Sequence, residues 1–364
     1  MVLSTSKAAG TIFFANEYNE ITYNINNKNN WAAKVYQNGT NTVAIDKQGT
    51  VLASVTIASQ TDDIPIQAAI DYINPGADGG TLGAVSGPVV IAQGAYKPST
   101  TIHVHELVSV IVPEPNNTVF TLRDNGGDFV KLFTHTNWSG GTVYMDNSTA
   151  NYSHNCFLYN PTTFTYPMVG WAYGQTRMSD LLILKDANTT SFAGNGLALV
   201  LESTSIVSGI FGWAFDNIRM SGYLDKGVYL SVATSADMYT HCIAWNTFNN
   251  MWFTGVNNPI YMDENDDYGS IGRNVFTNIF IEPVNATTMH STDGIVLAGN
   301  KNLVNMVFFD DWTSDNGYCV NMSSNATKSR VLNADINTST QYTWAGTSTQ
   351  NQIITFDCLV TYTT

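Results

Sequence analysis

Apolar and polar positions alternate along this chain in short runs, and the runs recur. The stretch from Phe248 to Gly255, FNNMWFTG, has the pattern Phe-x-Asn-apolar-x-apolar. The same pattern stands at Phe215-x-Asn217-Ile218-x-Met220 and Phe276-x-Asn278-Ile279-x-Ile281. It continues at Leu303-x-Asn305-Met306-x-Phe308 and Val331-x-Asn333-Ala334-x-Ile336, and an Asp copy precedes them at Met178-x-Asp180-Leu181-x-Ile183. The third positions lie 37, 33, 28, 27 and 28 residues apart. A second motif falls between these copies. Alternating stretches open at Gly196, Gly227, Pro259, Gly294 and Gly317. Alternation of period two predicts strands, and no helical pattern of the kind βαβ units need lies between them.

Two short strands per period, with turns between, are the signature of a solenoid. The expected fold is all-β, a right-handed parallel β-helix. Equivalent strands of successive coils then stack at ~4.8 Å, so like residues lie on like residues. Ile218, Met251, Ile279 and Met306 are expected to form one inward column, and Met220, Phe253, Ile281 and Phe308 the next. Phe215, Phe248 and Phe276 should stack, and the Asn column should hydrogen-bond from coil to coil at a turn. A β-propeller blade needs four strands in ~40–45 residues, more than this period holds.

An open solenoid must cover its first edge. The segment TDDIPIQAAIDYINP predicts a covering helix with Ile66, Ala69, Ile70 and Ile73 on one face, Asp62 or Asp63 as its N-cap and Pro65 in its first turn. The run from Thr61 to Val104, which continues through VVIAQGAYKPSTTIHV, resembles the opening of pectate-lyase-like single-stranded β-helix proteins. That resemblance implies the fold. It implies little about function, because polysaccharide lyases, glycosidases and viral tailspikes share the architecture. Residues 1–60 read as short strands with Asn-Gly and Gln-Gly turns and resemble a lead-in of archaeal and archaeal-virus β-helix sequences. Three regions are expected: this lead-in at 1–60, the β-helix at 61–338, and a C-terminal cap or oligomerisation strand at 339–364.

Composition narrows the partners. Charged residues are 12% of the chain and the net charge is −14, so Asn, Thr, Ser and Tyr must make the surface. No run of Lys and Arg exists to hold phosphates, and neither nucleic acid nor an anionic membrane surface is expected. No apolar run approaches the ~20 residues of a membrane span. Many Asn-x-Ser/Thr sequons and few lysines fit an extracellular or virion-surface location. MVLSTSKAAGTIFF has no signal-peptide core, so export after signal removal or inside a virion is expected. The four cysteines have no CxxC spacing; buried thiols, or a Cys319–Cys358 disulfide, are the readings open.

Three groups carry candidate chemistry. Glu282 lies four places after its repeat Asn, and Asp310 and Asp311 lie five and six places after theirs. Stacking brings these acids close enough to act as a glycosidase pair, with Trp312 as a sugar platform. Other motifs of the family's polygalacturonases, His-Gly and Arg-Ile-Lys, are absent. Asp263, Asn265 and Asp267 have the spacing of the first half of an EF-hand loop, but Asn274 stands at its twelfth place instead of Glu. A calcium ion there is the metal this pattern offers, and no cofactor is required. Finally, the residue two places after each repeat Asn should point outward: Arg219, Trp252, Phe280 and Val307. Tyr229, Tyr261 and Val296 should do so from the second strand. Aromatics left in water on adjacent coils call for a partner: glycan, an overlying loop, or a neighbouring subunit of a homotrimer.

The leading expectation is therefore a virion or cell-surface spike or fibre protein that binds a host polysaccharide or glycoprotein. The alternatives are a polysaccharide hydrolase or lyase using Glu282 with Asp310 or Asp311, and a purely structural coat protein.

Overall fold

The computed structural model describes residues 31–355 apart from 76–86, 124–126, 134, 147–151, 161–175, 187–190, 202–207, 233–240, 265–269, 287–288, 314, 337–341 and 345–349. Among the described residues, strands are stacked coil upon coil in long parallel ladders. One sheet runs from the lead-in strands through Arg177–Lys185, Ala214–Ser221, Thr247–Thr254, Val275–Glu282, Leu303–Phe309 and Arg330–Asp335 to Gln352–Thr355. A second is built from Asn195–Leu201, Lys226–Val232, Asn258–Glu264, Ile295–Leu297, Val320–Met322 and their neighbours, and a short third from Ser208–Phe211, His241–Ala244 and Ile271–Gly272. The chain is an all-β solenoid, a parallel β-helix.

The repeat pattern has a backbone cause. In the strand Thr247–Thr254, Asn250 has φ 53°, and Asp180, Asn217, Asn278 and Asn333 have φ between 52° and 59°. Asn and Asp enter this left-handed region far more readily than other residues with a Cβ. One such residue bends the strand, and the ladder skips it: Asn249 pairs with Thr277, and then Met251 with Ile279. The bend leaves two successive positions outside, which is why inward residues are spaced three and then two apart. Phe215, Phe248 and Phe276 stack almost face to face, with centroids 4.7 and 4.3 Å apart. The side-chain amides link coils as Asn217 to Asp180 at 2.8 Å, Asn250 to Asp216 at 3.0 Å and Asn278 to Asn250 at 3.1 Å. The Asn column thus lies at a bend inside a strand, not at a turn between strands.

The copy at Leu303 is displaced by one residue from the sequence alignment. Val304 pairs with Phe276, and Val307 with Ile279. Met306, with φ 57°, occupies the bend. Val307 and Phe309 are the inward residues, and Met306 and Phe308 are exposed. Asn305 misleads because it sits one place before the bend and still accepts a hydrogen bond from Asn333 Nδ2 at 2.9 Å. Gly317 is displaced as well: the second sheet pairs Ile295 with Val320, which puts Cys319 beneath Gly294. The earlier glycines make room for the inward column. A Cβ at Gly227 would lie 2.5 Å from the Phe253 ring.

The predicted helix forms as Asp63–Ile73, burying Ile66, Ala69, Ile70 and Ile73. Neither aspartate caps it. Asp62 occupies the N-cap position with no capping hydrogen bond from its side chain. Its carboxylate accepts from Thr42 Oγ1 at 2.5 Å and from the Lys97 backbone N–H at 2.6 Å. Asp63 accepts from the Ser99 N–H and Oγ and from Thr100 Oγ1. The two acids clamp the helix between the lead-in and the first coils. The lead-in joins the solenoid directly: Ala33–Gln37 pairs antiparallel with Asn41–Asp46 on one side and parallel with Val89–Ile91 on the other. At the far end Gln352–Thr355 adds a further rung, with Ile353 paired to Val331. Cys319 is buried; Cys358 lies outside the described residues.

A second Asn ladder runs inside. Asn246 Nδ2 donates to Asn274 Oδ1 at 2.9 Å, Asn274 Nδ2 donates to Asn302 Oδ1 at 3.1 Å, and the Ser329 N–H donates to Asn351 Oδ1 at 2.8 Å. Each Asn also satisfies buried backbone groups. Asn274, for example, accepts from the Asn246 N–H and donates to the Ile243 carbonyl. The signal was present as an Asn two residues before the first inward residue on four coils (Asn246, Asn274, Asn302, Asn351), but only the coil register shows that these positions are inside.

Candidate functional site

The bend sets what faces out. Arg219, Trp252 and Phe280 are register partners on successive coils, and Phe308 follows Phe280. The sequence alignment had put Val307 in this place; Val307 is fully buried and Phe308 is 39% exposed. The stripe is therefore one aromatic longer than expected. The Arg219 guanidinium carbon lies 4.4 Å from the centre of the Trp252 ring. The Trp252 and Phe280 rings lie 4.2 Å apart at 42°. Trp252 Nε1–H donates to Thr254 Oγ1 at 3.0 Å, which fixes the indole while leaving it 38% exposed.

The acids lie on the same face. Side chains two apart on a strand share a face, so Glu282 is on the side of Phe280, and Asp310 on the side of Phe308. The displaced register makes Glu282 and Asp310 direct neighbours, not diagonal ones: the Asp310 N–H donates to the Ile281 carbonyl at 2.9 Å. Glu282 is half-buried and Asp310 exposed. Asp311, also exposed, turns the chain away with φ 49°. Trp312 does not join them. It is buried, its Nε1–H donates to the Gly317 carbonyl at 2.9 Å, and its ring meets Phe309 edge-on. It is a core residue because the chain turns inward after Asp311.

The second sheet carries a smaller group. Tyr229 and Tyr261 are register partners with ring centroids 6.0 Å apart, and Lys226 Nζ lies 5.0 and 5.2 Å from the two rings. Burial and the neighbouring Asp263 charge push the Tyr261 phenol above its usual value. Val296, expected outward beside them, is buried. Of the calcium candidates, Asp263 is half-buried in the strand Asn258–Glu264, and Asn265 and Asp267 lie outside the described residues. Among the described residues no cluster of three or more His, Cys, Asp or Glu is placed to hold a metal. No described helix is long and apolar enough to cross a membrane.

Fold and face together define a parallel β-helix with an outward aromatic stripe beside two stacked carboxylates. No protein-family model matches the chain, and no curated protein matches it. Among solved structures it is similar to the ORF18 protein of Geobacillus virus E2, with 13% identity and a TM-score of 0.41; the match covers 81% of this chain and 56% of the viral one, so the chain spans little more than half of that protein's length. It is also similar to the A-module of the mannuronan C-5 epimerase AlgE6 of Azotobacter vinelandii, with 10% identity, a TM-score of 0.25, and coverage of 81% of this chain and 94% of that one. The fold stands on the strand register of the chain itself.

Proposed function

We infer that the protein is an extracellular or virion-surface spike or fibre protein that holds a host polysaccharide or glycoprotein glycan along the stripe Arg219–Trp252–Phe280–Phe308. The observation that carries this reading is the outward placement of three aromatics on adjacent coils, with Trp252 pinned by Thr254. Rings packed on one another at the ~4.8 Å coil spacing present a continuous apolar edge to an extended sugar chain. Their exposure on a rigid sheet means little ordering entropy is lost on binding. Retention of the full chain on purified host-surface glycan tests it. Trp252→Ala with Phe308→Ala is expected to weaken retention at least tenfold while the sedimentation mass stays constant. A fall in mass with retention unchanged identifies the stripe as the contact between subunits of a homotrimer.

A second reading is favoured by the register of Glu282 and Asp310. Two carboxylates one coil apart, beside an aromatic platform, are a residue set that a glycosidase uses as acid and as base or nucleophile. Release of reducing sugar from the retained glycan, abolished by Glu282→Gln and by Asp310→Asn, establishes it. Retention without release leaves a binding protein.

A further inference from the structure

A third column of residues runs along the corner that precedes the buried Asn ladder. Gly212, Trp245, Arg273, Lys301, Lys328 and Gln350 stand immediately before Trp213, Asn246, Asn274, Asn302, Ser329 and Asn351. All six have positive φ, between 53° and 71°. They are stacked coil on coil: the Trp245 N–H donates to the Gly272 carbonyl, the Arg273 N–H to the Asn300 carbonyl and the Lys301 N–H to the Thr327 carbonyl, at 3.3, 3.0 and 2.9 Å. Bridges from Gly272 to Asn300 and from Asn300 to Thr327 hold the same register.

Two features of this column are not explained by folding. First, the left-handed conformation suits Gly and Asn; the bend inside the strands uses Asn or Asp at five of its six places, whereas this corner has Gly212 at one place and Trp, Arg, Lys, Lys and Gln at the other five. Backbone strain of this kind points to a role outside packing. Second, the chain has 15 Lys and Arg against 29 Asp and Glu, yet three of the cations lie on consecutive coils. Arg273, Lys301 and Lys328 are exposed, and none of them is in an ion pair with a described residue. The Arg273 guanidinium lies 4.9 Å from the Trp245 ring centre, and Trp245 is 42% exposed against Phe211. The result is a row of cations, one per coil, ending at a half-exposed indole. The row is invisible in the sequence because its members are 28 and 27 residues apart.

We propose that the Arg273–Lys301–Lys328 row with Trp245 is a binding site for a linear anionic polysaccharide. Anionic groups along an extended sugar chain meet one cation per coil, and the exposed part of the Trp245 indole packs against a sugar at the end. Nucleic acid fits less well. Its affinity comes from many neutralised phosphates, and three cations on a chain of net charge −14 supply few. This site is separate from the Trp252 stripe and stands or falls without it.

Dextran sulfate and neutral dextran, which share a backbone and differ in charge, are the probes, and hyaluronate distinguishes carboxylate from sulfate. The full chain is expected to bind dextran sulfate or hyaluronate and not dextran, more weakly as salt rises. The triple variant Arg273→Gln, Lys301→Gln, Lys328→Gln should bind at least tenfold more weakly, and Lys47→Gln, which removes an exposed cation of the lead-in, should bind as the parent does. Lys301→Gly should lower binding while raising the melting temperature, a pairing that a purely structural lysine does not produce. Equal binding by parent and triple variant, no binding to either charged polymer, or tighter binding of a single-stranded oligonucleotide than of both polymers overturns the proposal.

Discussion

The Asn246 side-chain amide donates to Asn274 Oδ1 at 2.9 Å, and the Asn246 backbone N–H donates to the same oxygen at 3.2 Å. One fully buried carboxamide thus holds the side chain and the backbone of the coil before it, while its own amide reaches the Ile243 carbonyl and Asn302. Asn274→Ala leaves these groups without a partner. An unsatisfied buried group costs ~1–3 kcal/mol, and several are stranded here. The expected loss is on the order of 3–5 kcal/mol, read as a fall in the urea midpoint. A loss below about 1 kcal/mol contradicts the role given to the ladder.

Met306 occupies a bend that the other coils fill with Asp180, Asn217, Asn250, Asn278 and Asn333. Its left-handed backbone costs ~1–2 kcal/mol, and its side chain is exposed, so little packing is lost on replacement. Met306→Asn is expected to stabilise the protein by about 1 kcal/mol and to raise the melting temperature. An unchanged or lower melting temperature counts against the displaced register.

Gly227 faces the inner column, where a Cβ would lie 2.5 Å from both the Phe253 ring and the Pro259 carbonyl oxygen. The carbonyl belongs to the next coil's backbone and cannot rotate away. Gly227→Ala should therefore destabilise by about 1–3 kcal/mol or more. Phe253→Leu relieves the ring contact but not the backbone one, so the double variant should recover only part of the loss in a thermal melt.

The Asp62 carboxyl is pushed above the usual aspartate value of 3.8 chiefly by burial, with the Asp63 charge adding to it, while the hydrogen bonds from Thr42 and Lys97 pull it back. A raised folded pKa means that the folded state binds the proton more tightly. The resulting stability is fully present below 3.8 and is lost as pH rises through the raised value. Asp62→Asn should then cost more at pH near 4 than at pH 7, measured as the difference in denaturant midpoint between variant and parent. A larger cost at pH 7 reverses the sign and excludes this account.

What the sequence determined by itself was local. The period, the strands, the stacked Phe215, Phe248 and Phe276, and the helix face at Ile66, Ala69, Ile70 and Ile73 follow from alternation and from the ease with which Asn adopts a left-handed bend. Arg219, Trp252 and Phe280 were legible as outward residues for the same reason. The tertiary structure decided whatever depends on pairing between coils. Asn305 and Met306 both fit the repeat as read along the chain; only the hydrogen bonds to Phe276 and Ile279 put Met306 in the bend, Phe308 outside and Asp310 beside Glu282. Trp312 looked like a platform until the turn at Asp311 carried it into the core. Asp62 and Asp63 suit a helix cap by type, but their partners come from strands and loops 20 to 37 residues away. Arg273, Lys301 and Lys328 form a row because parallel coils bring residues a full turn apart to within one strand spacing, a distance the linear order of the chain does not contain.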